Sequence, residues 1–251
     1  MGVRQDRPRR VQRRSVDPTN ELAPPRLVAH ISVVNPRNVF LTGGTGYMGS
    51  RLIPLLFARG HKVRALARKG SEGKLPSGCE ILPGNALEKE TFARQIAPSD
   101  TFVHLVGVPH PSPAKAEQFR VIDLVSVRAS VAAATEARIQ HFVYVSVAQP
   151  APLMKDYLAV RAEGESLLRT SGLNATILRP WYVLGPGHRW PYVLLPAYWI
   201  CELFPPTRDG ARRLGLVTLD QMLSALVHAV ENPAAGIKIL EVSEIRKTPA
   251  P

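Results

Sequence analysis

The residues with the clearest chemical content are three glycines at three-residue spacing, Gly43, Gly46 and Gly49, in the run Phe40-Leu41-Thr42-Gly43-Gly44-Thr45-Gly46-Tyr47-Met48-Gly49. Alone, such a triplet can be a structural turn. Here it follows an apolar run that reads as a strand and opens a segment of helical period, the setting in which backbone builds an anion site. Gly43 permits the tight turn, Gly46 lets the main chain approach a pyrophosphate, and Gly49 lets helix and strand pack closely. The helix start adds unpaired N–H groups and the positive end of a dipole. With Thr45, Tyr47 and Met48 between them, the glycines are expected to cradle a dinucleotide.

The end of the next strand bears on which dinucleotide. An Asp or Glu about twenty residues beyond the glycines holds a ribose 2′-hydroxyl, whereas an Arg accommodates a 2′-phosphate. The sequence runs Val63-Arg64-Ala65-Leu66-Ala67-Arg68-Lys69, and the first acid after the loop is Glu72. Arg68 and Lys69 therefore favour NADP(H) over NAD(H); a merely solvated strand end is the alternative reading of the same pair.

These groups need a frame. Val39 to Thr42, Lys62 to Ala67, Cys79 to Leu82, Thr101 to Val106, His141 to Ser146, Asn174 to Arg179 and Ile237 to Val242 read as strands. Tyr47 to Arg59, Lys115 to Ala137, Tyr157 to Thr170 and Leu219 to Glu231 read as helices, with Gly60 and Gly172 as C-terminal caps. The alternation predicts an α/β doubly wound, mostly parallel Rossmann sheet of about seven strands with helices on both faces. Continuously apolar strands such as Phe142-Val143-Tyr144-Val145 fit burial on both sides. Pro54, inside the first helix, should remove a hydrogen bond and bend it.

Taken in order, the motifs resemble the short-chain dehydrogenase/reductase superfamily, in its extended and atypical branch of NmrA-like, epimerase-like and complex I accessory-subunit-like proteins. The resemblance runs over residues 38 to 243 through the glycine motif, Gly84-Asn85, His104-Leu105-Val106-Gly107, Tyr144-Val145-Ser146, Tyr157-x-x-x-Arg161, Leu178-Arg179-Pro180 and the Val217 to Leu226 segment. It implies cofactor contacts at Asn85, Leu105, Val106, Gly107 and Pro180. It also implies a catalytic set: Tyr157 as proton donor or acceptor, Ser146 orienting a carbonyl, and Arg161 where the family has Lys. Four-residue spacing puts Tyr157 and Arg161 on one helix face, so the cation can act on the phenol. A guanidinium, however, cannot lose its proton to relay it. Tyr157 lies only eleven positions beyond Ser146, with Pro150 and Pro152 in the link. A partly buried helix aromatic is the competing reading of Tyr157.

Length and composition bound the rest. The 251 residues, 45% hydrophobic, suit one α/β domain over 38–251 with a substrate-side segment around 181–215, rich in aromatics from Trp181 to Trp199. Net charge is +12, of which residues 1–37 carry +5. That Arg- and Pro-rich stretch is expected to be a disordered extension, or the product of a start codon placed too early, more than a transit peptide. Without a basic stripe interleaved with aromatics, a nucleic-acid partner is not expected; a small, apolar substrate is. Two distant cysteines, Cys79 and Cys201, and no secretory h-region point to the cytoplasm. The apolar run Trp190 to Phe204 is interrupted by prolines and too short to span a bilayer. His104 reads as a packed strand residue, and no metal is expected, because the histidines show no ligand spacing. Two functions stay open: an NADP(H)-dependent oxidoreductase, or a non-catalytic dinucleotide-binding redox sensor or accessory subunit.

Overall fold

In the computed structural model, strand β1 (Asn38–Thr42) is the third strand of a seven-stranded, wholly parallel sheet ordered β3-β2-β1-β4-β5-β6-β9. The residues described are 1, 2, 35–187, 209, 210 and 213–250, and the fold is that of the unit Val34–Pro251. Beside β1 stand β2 (Lys62–Ala67) and β3 (Glu80–Pro83) on one side. On the other side are β4 (Thr101–His104), β5 (His141–Val145), β6 (Ala175–Arg179) and β9 (Ile237–Glu241). In register, Phe40 stands beside Arg64 on β2 and Phe102 on β4. The chain thus winds away from β1 in both directions, and the crevice between β1 and β4 is the switch point at which such sheets bind ligands.

Strand alternation explains the two cores. Val39 and Leu41 face one side, packed with Leu52, Ile53 and Leu56 of α1 (Gly49–Ala58) and with Met222 and Leu226 of α5 (Leu219–Glu231). Phe40 faces the other, where Phe40, Phe102 and Phe142 of three neighbouring strands stack at centroid distances of 5.0 and 4.9 Å. Helix α5 begins at a capping box in which Thr218 and Gln221 satisfy each other's backbone N–H groups. Gly60 and Gly172 follow their helices at φ of +80° and +76°, the C-terminal role expected of them. Pro54 is accommodated within α1 at an exposed position.

The structure departs from the sequence reading in four places. The helix expected over Lys115 to Ala137 is α2 (Ala116–Gln118), then a π-helical turn (Phe119–Leu124), then α3 (Val125–Glu136). The turn buries Phe119 and Asp123 together. Helix α4 (Lys155–Ser171) starts two residues before Tyr157, after Met154 in the left-handed region, so Tyr157 falls in the first turn. The last strand ends at Glu241, where a Glu241/Glu244 capping box opens α6 (Val242–Lys247). A separate pair, β7 (Tyr182–Leu184) and β8 (Leu216–Thr218), runs parallel beyond β6. The expected substrate-side segment, with Trp190 and Trp199, lies largely outside the described residues, as does most of the extension. No helix among the described residues is long and apolar enough to cross a membrane.

Candidate functional site

The glycine loop leaves β1 with Gly43 at φ +78°, and a Cβ there would sit 2.7 Å from the Leu105 carbonyl carbon of the neighbouring strand end. Neither strain nor space admits a side chain. At Gly49 a Cβ would run into the Gly43 carbonyl oxygen, so this glycine brings α1 against the loop. The Gly46 amide donates to Gly43 O at 3.0 Å and closes the turn. Helix α1 begins directly after the turn, where the Ser50 amide donates to Gly46 O at 3.0 Å.

The loop forms one wall of a cleft of about 310 Å³ at the C-terminal ends of the strands. Gly43, Thr45, Gly46, Arg68, Asn85, Leu105, Val106 and Gly107 line it, eight of the residues expected to hold the cofactor. Tyr47 and Met48 pack on the core beneath instead, the Tyr47 hydroxyl lying against Gly185. Lys69 is exposed just beyond Arg68, and the Pro180 carbonyl accepts the Ala148 amide at 3.0 Å. The side chain of Asn85 is engaged in its own loop: Oδ1 accepts the Leu87 amide at 3.2 Å and Nδ2 donates to Glu88 at 2.7 Å. A larger hollow of about 560 Å³, lined by Asn38, Lys62 and Pro98, lies at the opposite end of the strands. Ligands of doubly wound sheets bind at the C-terminal ends, so the smaller cleft is the candidate site.

Tyr157 and Arg161 meet as their spacing requires: the guanidinium lies 5.0 Å from the half-buried Tyr157 ring, whose other neighbour is Phe119 at 5.0 Å. Arg161 itself is buried. Nη1 donates to Val145 O at 3.0 Å and Nη2 to Asp123 Oδ1 at 2.5 Å, while the same nitrogen would stand 2.5 Å from a Cβ on Gly107. Burial opposes the charge, but Tyr157, Tyr144 and Asp123 outweigh it and raise the Arg161 pKa. Burial pushes the Asp123 carboxyl up, against the pull of Arg161 and of the Val108 amide it accepts at 2.9 Å.

Ser146 goes elsewhere. Among the described residues its hydroxyl donates to Glu165 Oε1 at 2.7 Å, and not to Tyr157. Glu165 is buried eight residues beyond Tyr157 on α4 and also accepts from Gln149 at 2.9 Å and from Arg179 at 2.8 and 2.5 Å. Burial would raise the Glu165 carboxyl, yet Arg179, Ser146 and Arg169 hold it low. Ser146, expected to orient a carbonyl, is here bonded into a buried ion network, because a desolvated carboxylate draws the donors in reach.

Beneath the loop, His104 is fully buried, with Nδ1 at 3.0 Å from Thr42 Oγ1 and 3.1 Å from Ser130 Oγ. Burial, reinforced by Arg161, pushes its pKa down to about 3, so the ring is neutral. Asp123 and Glu165 were the residues that sequence reasoning missed. Asp123 stands alone in the apolar run Val121-Ile122-Asp123-Leu124-Val125, and Glu165 continues the Tyr157, Arg161 stripe at four-residue spacing. An acid in either position calls for a buried cationic partner.

Residues 43–191 match the family model described as NAD(P)H-binding. The chain is 24% identical over 213 residues to the ceramide reductase of Caulobacter vibrioides, covering 83% of this chain and 65% of that protein. It is 29% identical over 168 residues to a 4-hydroxy-2-methyl-3-oxo-4-farnesyl-3,4-dihydroquinoline-1-oxide ketoreductase of Stigmatella aurantiaca, covering 58% and 50%. The chain therefore spans half to two thirds of the length of these relatives. Bordetella bronchiseptica WbmH, solved with NAD+, shares the fold at a TM-score of 0.62 and 21% identity, over 82% of this chain and 76% of that one. With the parallel sheet, the glycine loop and the cleft at its switch point, the chain belongs to the NAD(P)H-binding family.

Proposed function

We propose that the chain is an NADP(H)-dependent oxidoreductase in which hydride moves between nicotinamide and a small, apolar carbonyl or alcohol, with Tyr157 giving or taking the proton. The carrying observation is Arg68, which lines the cleft at the end of β2 where an acid would select NAD(H). The cleft beside the Gly43–Gly46 turn suits a pyrophosphate, which loop N–H groups and the start of α1 would hold. Arg68 and Lys69 would take the 2′-phosphate. When bound, the dinucleotide supplies the hydride. Tyr157 holds or releases the phenolic proton, and Arg161 acts on it only through its field, since it stays charged. The reductase names of the relatives support this reading. We read 38–251 as one domain with its substrate side around 181–215, working in the cytoplasm, and 1–37 as an extension of it.

A second reading has its own observation. With Arg161 locked to Asp123 and Val145 and Ser146 bonded to Glu165, the chain could bind the dinucleotide without turnover, as a redox sensor or accessory subunit. Fluorescence titration with NADPH and NADH tests the cofactor: a preference for NADPH that Arg68→Ala removes is expected, and equal wild-type affinities would refute it. A carbonyl panel tests the chemistry. Turnover that falls about 10²- to 10⁴-fold in Tyr157→Phe supports catalysis. Undiminished turnover in that variant removes Tyr157 from the reaction, and binding without turnover favours the second reading.

A further inference from the structure

The loop that follows β5 carries, Met1 aside, the most exposed large apolar side chain among the described residues, Leu153 at 66%. A single exposed leucine on a slack loop would mean little. This loop is fastened along its length. The Ala148 amide donates to Pro180 O at 3.0 Å, Gln149 Nε2 to Glu165 at 2.9 Å and Arg213 Nε to Pro150 O at 3.1 Å, while Met154 O accepts the Leu158 amide at 2.9 Å. Met154, next to Leu153, sits at φ +62°, in the left-handed region that glycine occupies without strain. A larger residue persists there only where its surroundings over-determine it, and such positions gather at functional sites. The backbone alone would call for glycine, so the task at this position belongs to the methionine side chain.

That side chain adjoins the apolar end of the cleft. Thr45, Arg68 and Asn85 make one end polar, whereas Val108, Pro109 and Ile122 make the other end apolar. Val108 and Ile122 also take part in a small apolar cluster against which both Met154 and Tyr157 pack. The apolar end of the cleft therefore runs on past Tyr157 to Met154, and the adjoining Leu153 carries it to the surface. Asp156, the nearest acid along the chain, is already engaged by Arg120 at 3.0 Å. On the oxidoreductase reading given above, we propose that the Leu153–Met154 corner is the specificity element for the substrate, taking an unbranched alkyl chain attached to the carbonyl that Tyr157 serves. The flexible thioether of Met154 moulds to such a chain, and Leu153 covers its outer methylenes. The substrate class is then straight-chain ketones and the matching secondary alcohols, with affinity set by chain length.

The test reads binding without turnover. Unbranched 2-ketones from butanone to decanone are titrated by calorimetry into the full chain holding NADP+, which has no hydride to give them, as wild type, Leu153→Asn and Met154→Gly. Thermal midpoints and sedimentation are recorded alongside. In wild type each added methylene should tighten binding roughly two- to fourfold, as burial of apolar surface dictates. Leu153→Asn, a change at an exposed position, should leave the midpoint and the affinities for NADP+ and butanone unaltered, yet cut the gain per methylene in the longer ketones to below about 1.5-fold. Met154→Gly should cut that gain from the shorter ketones onward, with NADP+ affinity unchanged; a merely structural methionine would lower the midpoint and keep the gain. An affinity that does not rise with chain length, or a gain that survives in both variants, overturns the proposal. So does a wild-type dimer that Leu153→Asn dissociates with the gain intact, which gives the corner to a second copy of the chain. Binding of the series with no reduction by NADPH leaves the corner assigned and refutes the catalytic reading. A chain that binds NADP+ but no ketone overturns the proposal and keeps the dinucleotide reading, and one that binds neither overturns both.

Discussion

Taking the protein from pH 7 to pH 5 should cost several kcal/mol of stability, through two histidines that the fold keeps neutral. His104 is 1% exposed and His141 is fully buried. Burial, with Arg161 adding to it, puts His104 at about 3; burial, with Arg37 adding to it, puts His141 at about 4. In the unfolded chain both titrate near the ordinary value of 6.5. Both folded pKa values lie below the unfolded ones, so below pH 6.5 the unfolded chain binds the extra protons. The stability they contribute is complete above pH 6.5 and drains away as pH falls toward 4 and then 3. With two protons involved, the slope approaches about 2.7 kcal/mol per pH unit near pH 5, and the full loss is on the order of 8 kcal/mol. A domain whose whole stability is about 5–15 kcal/mol cannot absorb that, and acid unfolding should begin between about pH 4 and pH 5.

Urea unfolding followed by circular dichroism at several pH values from 7.5 to 5.0 measures the slope, in wild type and in His104→Gln. The amide of Gln can still bond Thr42 and Ser130 but takes up no proton. The variant should therefore lose about 1.3 kcal/mol per pH unit less than wild type below pH 6. His61, also lowered by burial, acts in the same direction, while Asp123, raised by burial, acts in the opposite one. Both cancel in the comparison. Parallel slopes in the two proteins, or a wild-type stability that is flat from pH 7 to pH 5, would refute the argument.

Gly49→Ala aims a methyl group at the Gly43 carbonyl, so the loop must shift; NADPH affinity should fall at least about tenfold and stability by about 1–3 kcal/mol, read by titration and melting. Arg161→Met leaves Asp123 buried and unpaired, which should cost about 3–5 kcal/mol in urea unfolding at pH 7. That deficit should shrink toward pH 5, because a carboxyl raised still further gains its proton in the folded state, and adding Asp123→Asn should recover much of it. Glu165→Gln withdraws the charge that gathers Ser146, Gln149 and Arg179; a stability loss of about 2–4 kcal/mol is expected, and a loss under about 0.5 kcal/mol would show the network to be energetically idle.

How far such residues could be read in advance depended on whether their partners are near in sequence. The parallel sheet was legible because strands buried on both faces carry continuous apolar runs, as Phe142 to Val145 does. The glycine loop was legible because its constraints fall within seven residues. The π turn was not: Phe119, Ile122, Val127 and Val131 suit an unbroken helix, and only the needs of Asp123, met by a cation 38 residues on, distinguish the two. The surroundings of Ser146 were hidden for a similar reason. It stands at a strand end, as a carbonyl donor would, but Glu165, nineteen residues later, decides where its proton points. The terminal helix was missed although Glu241 and Glu244 carry its capping box, because the apolar run before them continues smoothly into Val242.

The same distinction bears on what Arg161 means. A lysine replaced by drift in a decaying site would leave a bulkier cation pressed into a space made for an ammonium, with no counter-charge to match. The surroundings of Arg161 are instead complementary to a guanidinium in three independent ways. Asp123 presents a carboxylate to Nη2 and Val145 a carbonyl to Nη1, two acceptors that a fork reaches together and a single ammonium does not. Gly107 leaves open the volume through which the fork passes. These groups come from a helix turn, a strand and a loop, and removing any one would strand a buried charge or collide with it, at a cost of several kcal/mol. The fit is to two of the three guanidinium nitrogens, since the buried Nε has no hydrogen-bond partner among the described residues. That fit places the burden of the catalytic question on Tyr157, the one member of the expected set that is still half-exposed beside the cation and has no partner of its own claiming its hydroxyl among the hydrogen bonds of the described residues.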